Sequence, residues 1–237
     1  MKYRGILFDK DGTLLDFNRT WLPIYRHAAA EFAGDDTVLG EALLTRHGFD
    51  AARGRFLGGS LLAAGNNREV ATAWAAELQQ PEAVDRISRR LNEIFQQQGA
   101  LCATAVDGLA TCLAQLKSRG YRLGVATADS HQGILNTLQA FAVLDHFDFL
   151  AGYDSGHGVK PEAGMVLAFC EHTGLDSREI VVVGDNRHDI EMGRNAEAGL
   201  CVGVLTGTSE RHELSPIADT VMDDISGLVE FLEPSAP

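Results

Sequence analysis

The sequence predicts an α/β protein whose parallel sheet is covered by helices on both faces, and three observations carry that prediction. Short apolar runs of branched and aromatic residues recur as YRGILFD, YRLGVAT, EIVVVGD and LCVGVL, each of strand length. The stretches between the later runs place apolar residues at helical spacing. The runs also end abruptly in Asp, Thr or Gly, the residues of turns and helix caps. Strand and helix in alternation build a parallel sheet, whose ligand crevice lies beyond the carboxyl ends of its strands.

The first run empties into a loop at DKDGT. From Phe17 to Gly99 the texture changes to Ala, Leu, Gln and Arg, as in HAAAEFA, VATAWAAELQQ and AVDRISRRLNEIFQQQ, which predicts helix throughout with no strand. Asp107 stands where it can cap a helix whose apolar Leu109, Cys112, Leu113 and Leu116 recur at i, i+3, i+4 and i+7, and Gly120 ends it. After the strand YRLGVAT, a helix over about His131 to Ala140 turns Ile134, Leu135 and Leu138 to one side. Phe147 to Leu150 reads as the next strand. Pro161 marks the start of a helix with Met165, Val166, Phe169 and Cys170 inward. EIVVVGD is followed by a helix from Asp189 to Ala198, stopped by Gly199 ahead of LCVGVL. The closing EPSAP reads as a frayed tail.

These elements divide the 237 residues into a core of 1–16 and 100–237, interrupted by an all-helical insertion over 17–99. With 45% hydrophobic and 22% charged residues the composition is that of a globular protein and excludes a disordered chain. Twenty Lys+Arg against 33 Asp+Glu give a net charge of −13, which argues against nucleic acid or anionic lipid as a partner. No apolar run approaches the ~20 residues of a membrane span, and the opening MKYRGILFDKDG breaks into charge at once, so a cytoplasmic protein is expected. Cys102, Cys112, Cys170 and Cys201 are dispersed, with no C-x-x-C pair, and read as reduced thiols.

An acidic protein needs a local device to hold an anion, and the strand ends offer one. Asp9 and Asp11 lie two apart and project from one side of an extended segment. Asp185 follows VVVG, and Asp189 comes four residues later at a helix start. Thr127 and Lys160 end two further segments. Taken singly, such an Asp is a cap or turn former, a strand Thr satisfies backbone, and a Lys is a solvated charge. Together, several carboxylates in one cleft call for a hard cation with oxygen ligands, which suits Mg²⁺ and a phosphate beside it.

FDKDGTLLD, VATADS, the lysine of HGVKPEAGMV and VVVGDNRHDIEMGRNAEAG resemble, in order, the four motifs of the haloacid dehalogenase superfamily. The chain is similar especially to its phosphatases of the phosphoglycolate-phosphatase type, over about two thirds of its length. The resemblance implies a Rossmann-like core with a helical cap at 17–99. It implies Asp9 as nucleophile, forming an aspartyl-phosphate, and Asp11 as the acid and then the base. It implies Mg²⁺ held by Asp9, the Asp11 carbonyl and Asp185, with Asp189 an outer or water-mediated partner. Thr127, the Ala128 N–H and Lys160 would bind the phosphate, and a small phosphorylated metabolite would be the substrate of a monomer or homodimer.

Other chemistries of this superfamily fit less well. Dehalogenases lack the second carboxylate, which is present here as Asp11. Cleavage through a cap Schiff base needs a lysine, and none lies between Lys10 and Lys117. A phosphomutase of the β-phosphoglucomutase type keeps the same residues and is the enzymatic alternative; a non-catalytic binding module is a more distant one. Three departures from the family pattern stand out. Lys10 sits between the two aspartates and is expected to point away from the metal, Ala128 takes the place of an asparagine, and His157 precedes Lys160 at the expected cleft rim. In the insertion, Arg19, Arg26, Arg46, Arg53 and Arg55 are candidates for a substrate carboxylate. His27 and His47 read equally well as surface residues, and the glycines of RGRFLGGSLLAAGNN read as a flexible turn.

Overall fold

The computed structural model describes residues 2–233, so the tail expected beyond Glu233 lies outside the described residues. Two compact units are formed: one from the segments up to Phe17 and from Thr104 onward, the other from Asn18–Ala103.

The first unit is built on a six-stranded sheet. Its strands are β1 (Gly5–Phe8), β4 (Arg122–Ala126), β5 (Phe149–Ala151), β6 (Ile180–Gly184), β7 (Leu200–Val204) and β8 (Thr220–Met222). They lie in the order β5-β4-β1-β6-β7-β8, and every pair is parallel. β1 is therefore central, and the sheet grows outward from it in both directions, which creates the switch point beyond its carboxyl end. The register sets Phe8 beside Val125 and Val183, so the residues just past these three strands meet at one place. β1, β6 and β7 are buried along their whole length, which explains their unbroken apolar sequences.

Helices α6 (Leu109–Ser118), α7 (His131–Leu138), α8 (Gly164–Thr173), α9 (Arg187–Asn195) and the short α10 (Arg211–Leu214) and α11 (Leu228–Phe231) belong to the same unit. Buried Phe169 of α8 packs in one cluster with Leu7, Ala126, Ile180 and Val182. Its ring uses space left by glycine, since a Cβ at Gly124 would come within 2.9 Å of it.

The second unit holds α1 (Phe17–Ala33, Phe17 itself lying in the first unit), α2 (Thr37–Thr45), α3 (Leu61–Ala64), α4 (Asn67–Glu77) and α5 (Val84–Cys102). Ile87, Leu91 and Ile94 form the buried stripe of α5. Trp74 packs edge-on to Phe32 and Tyr25, with centroids 5.9 and 6.4 Å apart.

Several boundaries differ from the sequence reading. Within the helical insertion a two-stranded antiparallel ribbon pairs β2 (Phe49–Asp50) with β3 (Arg55–Phe56). The segment RGRFLGGSLLAAGNN, read as a flexible turn, contains β3 and α3; only its start lies in the ribbon's loop, where the Asp50 carboxylate accepts the N–H groups of Ala52 and Arg53, and Gly54 takes φ 67°. A two-residue strand is too short to show alternation. α6 begins at Leu109, because Gly108 at φ 75° occupies the cap position in place of Asp107. α9 stops at Asn195 rather than Ala198, and left-handed Glu197, φ 55°, breaks the chain toward β7. α8 starts three residues past Pro161, and β5 one to two residues later than read. The half-buried β8 was not anticipated from the sequence. The four cysteines are free, as read.

Phe169→Ala should cost about 3–5 kcal/mol, a buried ring lost over a close-packed sheet. Chemical denaturation of the purified variant measures this, and a loss below about 1 kcal/mol would place Phe169 outside the core.

Candidate active site

The register of the central strands brings the residues past β1 and β6 together. The Asp9 N–H donates to Val183 O at 2.8 Å, which fixes the end of β1 against β6. Asp185 follows Gly184, and Asp189 lies in the first turn of α9. There Asn186 and Asp189 form a reciprocal capping box, with Asp189 Oδ2 accepting the Asn186 N–H at 3.0 Å. Carboxylate oxygens of Asp9, Asp185 and Asp189 all lie within 4.8 Å of one another, and all three residues are buried.

Lys160 answers part of that negative charge. Its Nζ donates to Asp9 Oδ1 and Asp189 Oδ1, both at 2.5 Å. Burial works against its charge, but the two carboxylates outweigh it and hold the ammonium's pKa above the usual lysine value. One ammonium between two carboxylates cannot neutralise both. Burial, reinforced by the charges of Asp189 and Asp11, pushes Asp9 up to about 7 against the pull of Lys160. Burial, then Asp9 and Asp189, push Asp185 well above the usual carboxylate range.

The donor set fits a hard divalent cation. Asp9 Oδ2 is buried with no hydrogen-bond partner, an arrangement that leaves a ligand atom in waiting. Asp185 is cradled for the same use. Its Oδ2 accepts the Thr208 N–H at 2.9 Å. Cβ atoms at Gly12 and Gly207 would come within 2.5 and 1.8 Å of its carboxylate, so both glycines are needed to admit it. Gly12 also takes φ 93°, which other residues rarely adopt. Both oxygens of Asp189 are already engaged, by Lys160 and Asn186, so its geometry favours orienting the lysine over direct ligation.

Thr127 lies buried just past β4, and its Oγ1 accepts the Asp129 N–H at 3.1 Å. The hydroxyl proton is thereby kept for another acceptor. Ala128 is exposed, and its N–H makes no backbone hydrogen bond among the described residues.

Lys10 behaves as the sequence did not suggest. It is fully buried, with Nζ 2.8 Å from Asp11 Oδ2 and 2.8 Å from Asp129 Oδ2. Against the cost of burial, Asp11 and Asp129 raise its pKa above the ordinary value, so it stays charged. Asp129 and the Thr206–Thr208 turn are the site residues that the sequence reading missed. The turn follows β7, and searching every strand end would have found it; it also donates Thr206 Oγ1 to the Gly12 carbonyl at 2.7 Å.

Other residues singled out in the sequence make local contacts. His157 lies 5.9 Å from Phe149 on edge strand β5. Within the helical unit, Arg46 pairs with Glu77, Arg53 sits 3.6 Å from Asp50, and the Arg26 guanidinium lies 5.5 Å over the Phe49 ring. Burial lowers the pKa of His47, which favours its neutral form. Among the described residues no helix is long and apolar enough to cross a membrane.

A family model described as haloacid dehalogenase-like hydrolase matches residues 3–197. Among curated relatives, N-acetylmuramic acid 6-phosphate phosphatase from Pseudomonas aeruginosa is 27% identical over 98% of this chain and 96% of its own length. Pyrophosphatase PpaX from Listeria innocua is 25% identical over 98% and 97%. A haloacid dehalogenase-like family hydrolase from Streptococcus pneumoniae superposes with a TM-score of 0.73 at 15% identity, covering 98% of this chain and 99% of that one, a likeness of fold.

Asp9 retains its proton in the folded chain to about pH 7, while in an unfolded chain it loses it near ~4. Its contribution to stability is thus present at low pH and lost as pH rises through 7. A divalent cation competes with that proton. Any rise in Tm produced by a divalent cation held at this site should therefore grow between pH 5 and 8, and Asp9→Asn should abolish it. Scanning calorimetry with Mg²⁺ or EDTA measures both, and a rise independent of pH would contradict the assignment.

Proposed function

This chain belongs to the haloacid dehalogenase-like hydrolases, and on that premise we propose that it is a Mg²⁺-dependent phosphatase of small phosphomonoesters, phosphoglycolate-like or sugar phosphates. The observation that carries this reading is the buried, unpartnered oxygen of Asp9 beside Asp185 and the Lys160 ammonium. The names of two relatives matched over nearly their whole length, an N-acetylmuramic acid 6-phosphate phosphatase and a pyrophosphatase, support phosphoryl transfer to water.

In this reading the Asp9 carboxylate attacks phosphorus, and the bond from phosphorus to the leaving alcohol breaks. Asp11 gives the departing oxygen its proton. Water then attacks the phosphorus of the aspartyl-phosphate, Asp11 takes a proton from it, and Asp9 is freed with release of phosphate. The Thr127 hydroxyl, the Ala128 N–H and Lys160 bind the phosphate oxygens and hold phosphorus in line with Asp9. Asp189 holds Lys160 in place. Asp9, the Asp11 carbonyl and Asp185 would hold Mg²⁺, which offers an all-oxygen donor set its preferred hard cation and lowers the negative charge that repels the nucleophile.

Purified protein should release phosphate from at least one member of a panel of phosphorylated small metabolites, with activity lost in EDTA and restored by Mg²⁺. Asp9→Asn should lower turnover by at least about a thousandfold with the fold intact by circular dichroism. An active Asp9→Asn enzyme, or no phosphate from any substrate, would overturn the reading. Interconversion of sugar-phosphate isomers without free phosphate would identify a mutase instead.

A further inference from the structure

A fully buried lysine is uncommon without partners, and Lys10 has two. Its ammonium joins the carboxylate next to it in the chain, Asp11 Oδ2, to that of Asp129, and each contact is 2.8 Å. Asp129 is itself fixed. Its Oδ1 accepts the Ser130 N–H at 2.7 Å, and its carbonyl accepts the Tyr153 N–H at 2.9 Å. Its own N–H is bonded to Thr127 Oγ1. A continuous chain of polar contacts thus runs from the Thr127 hydroxyl through Asp129 and Lys10 to Asp11.

Asp11 sits on the turn after β1, where Gly12 N–H donates to Leu15 O at 2.7 Å. That turn fixes the backbone of Asp11 but leaves its side-chain torsions to be set by contacts. Proton transfer requires the carboxyl within hydrogen-bond reach of the departing oxygen, so a contact that selects one rotamer has kinetic value.

We propose that Lys10, anchored by Asp129, is a positioning residue that holds the Asp11 carboxyl for proton transfer to the leaving group. The travelling proton is carried on the Asp11 carboxyl. It passes to the leaving oxygen as the P–O bond breaks and is regained from the attacking water, so the pair returns unchanged. This inference rests on the reading of Asp11 as proton carrier given above, and it assigns to the residue between the two aspartates a task in the reaction rather than in folding alone.

The test is leaving-group dependence, which a merely structural lysine would not alter. Wild type, Lys10→Met, Asp129→Asn and Asp11→Asn are compared by kcat/KM on p-nitrophenyl phosphate, whose phenolate leaves without a proton, and on an alkyl phosphate the wild type hydrolyses. Lys10→Met should lose about 10- to 100-fold on the alkyl ester and less than about threefold on the aryl ester. Asp129→Asn, which retains an acceptor for the Ser130 N–H, should show the same selectivity with a smaller loss. It also serves if Lys10→Met does not fold. The double variant Lys10→Met with Asp11→Asn should be no slower on the alkyl ester than Asp11→Asn alone. Equal losses on both esters, or no loss on either, would overturn the role of Lys10. Absence of selectivity in Asp11→Asn would overturn the reading of Asp11, and this inference with it. A wild type that hydrolyses p-nitrophenyl phosphate and every alkyl phosphate tried at no measurable rate would refute the proposed function instead.

Discussion

The site depends on one constraint, that several carboxylates must share the crest of a parallel sheet away from water. Two unit charges ~4 Å apart repel by about 4 kcal/mol at an effective dielectric of ~20, so Asp9, Asp185 and Asp189 within 4.8 Å of one another need cations to stay ionised. Two buried lysines meet part of this need, each bridging two carboxylates: Lys160 joins Asp9 to Asp189, and Lys10 joins Asp11 to Asp129. The deficit that remains is local to Asp9 and Asp185, whose carboxyl pKa values are pushed up by burial first and by the neighbouring carboxylates after it. A divalent cation placed there completes the balance, and a phosphate brought beside it finds a cationic pocket in an otherwise acidic protein.

The fold serves this constraint by geometry. With β1 between β4 and β6, residues past three parallel strands meet without any of them leaving its own element. Gly12 and Gly207 remove the side chains that would collide with Asp185, and the capping box of α9 turns Asp189 toward Lys160. Asp185 and Asp189 are each held by a backbone N–H, from Thr208 and Asn186, which limits the reorganisation that charge movement in the reaction would demand.

Much of this arrangement was legible in the sequence because strand ends in a parallel sheet converge, and Asp9, Thr127, Asp185 and Asp189 each follow a segment whose apolar pattern is unambiguous. Lys10 was harder. Alternation says which side of a strand a residue leaves from, but a four-carbon stem can fold back, and its destination was set by Asp129, 119 residues away. The Thr206–Thr208 turn follows a clear strand but carries no charge, so nothing in its sequence marks the contact it makes with Asp185. The β2–β3 ribbon and β8 are two and three residues long, below the length at which periodicity distinguishes strand from loop.

In the proposed reaction the Asp9 carboxylate, the one of the three buried aspartates with a buried oxygen that lacks a hydrogen-bond partner, takes the phosphoryl from substrate. Borohydride quenching of the enzyme during turnover, followed by peptide mass spectrometry, tests this at the atom concerned, because an acyl phosphate is reduced to an alcohol and an ordinary carboxylate is not. Homoserine is expected at position 9 when substrate and Mg²⁺ are present, and intact Asp9 when either is withheld. Phosphate release with Asp9 unreduced throughout, or reduction at another carboxylate, would contradict it.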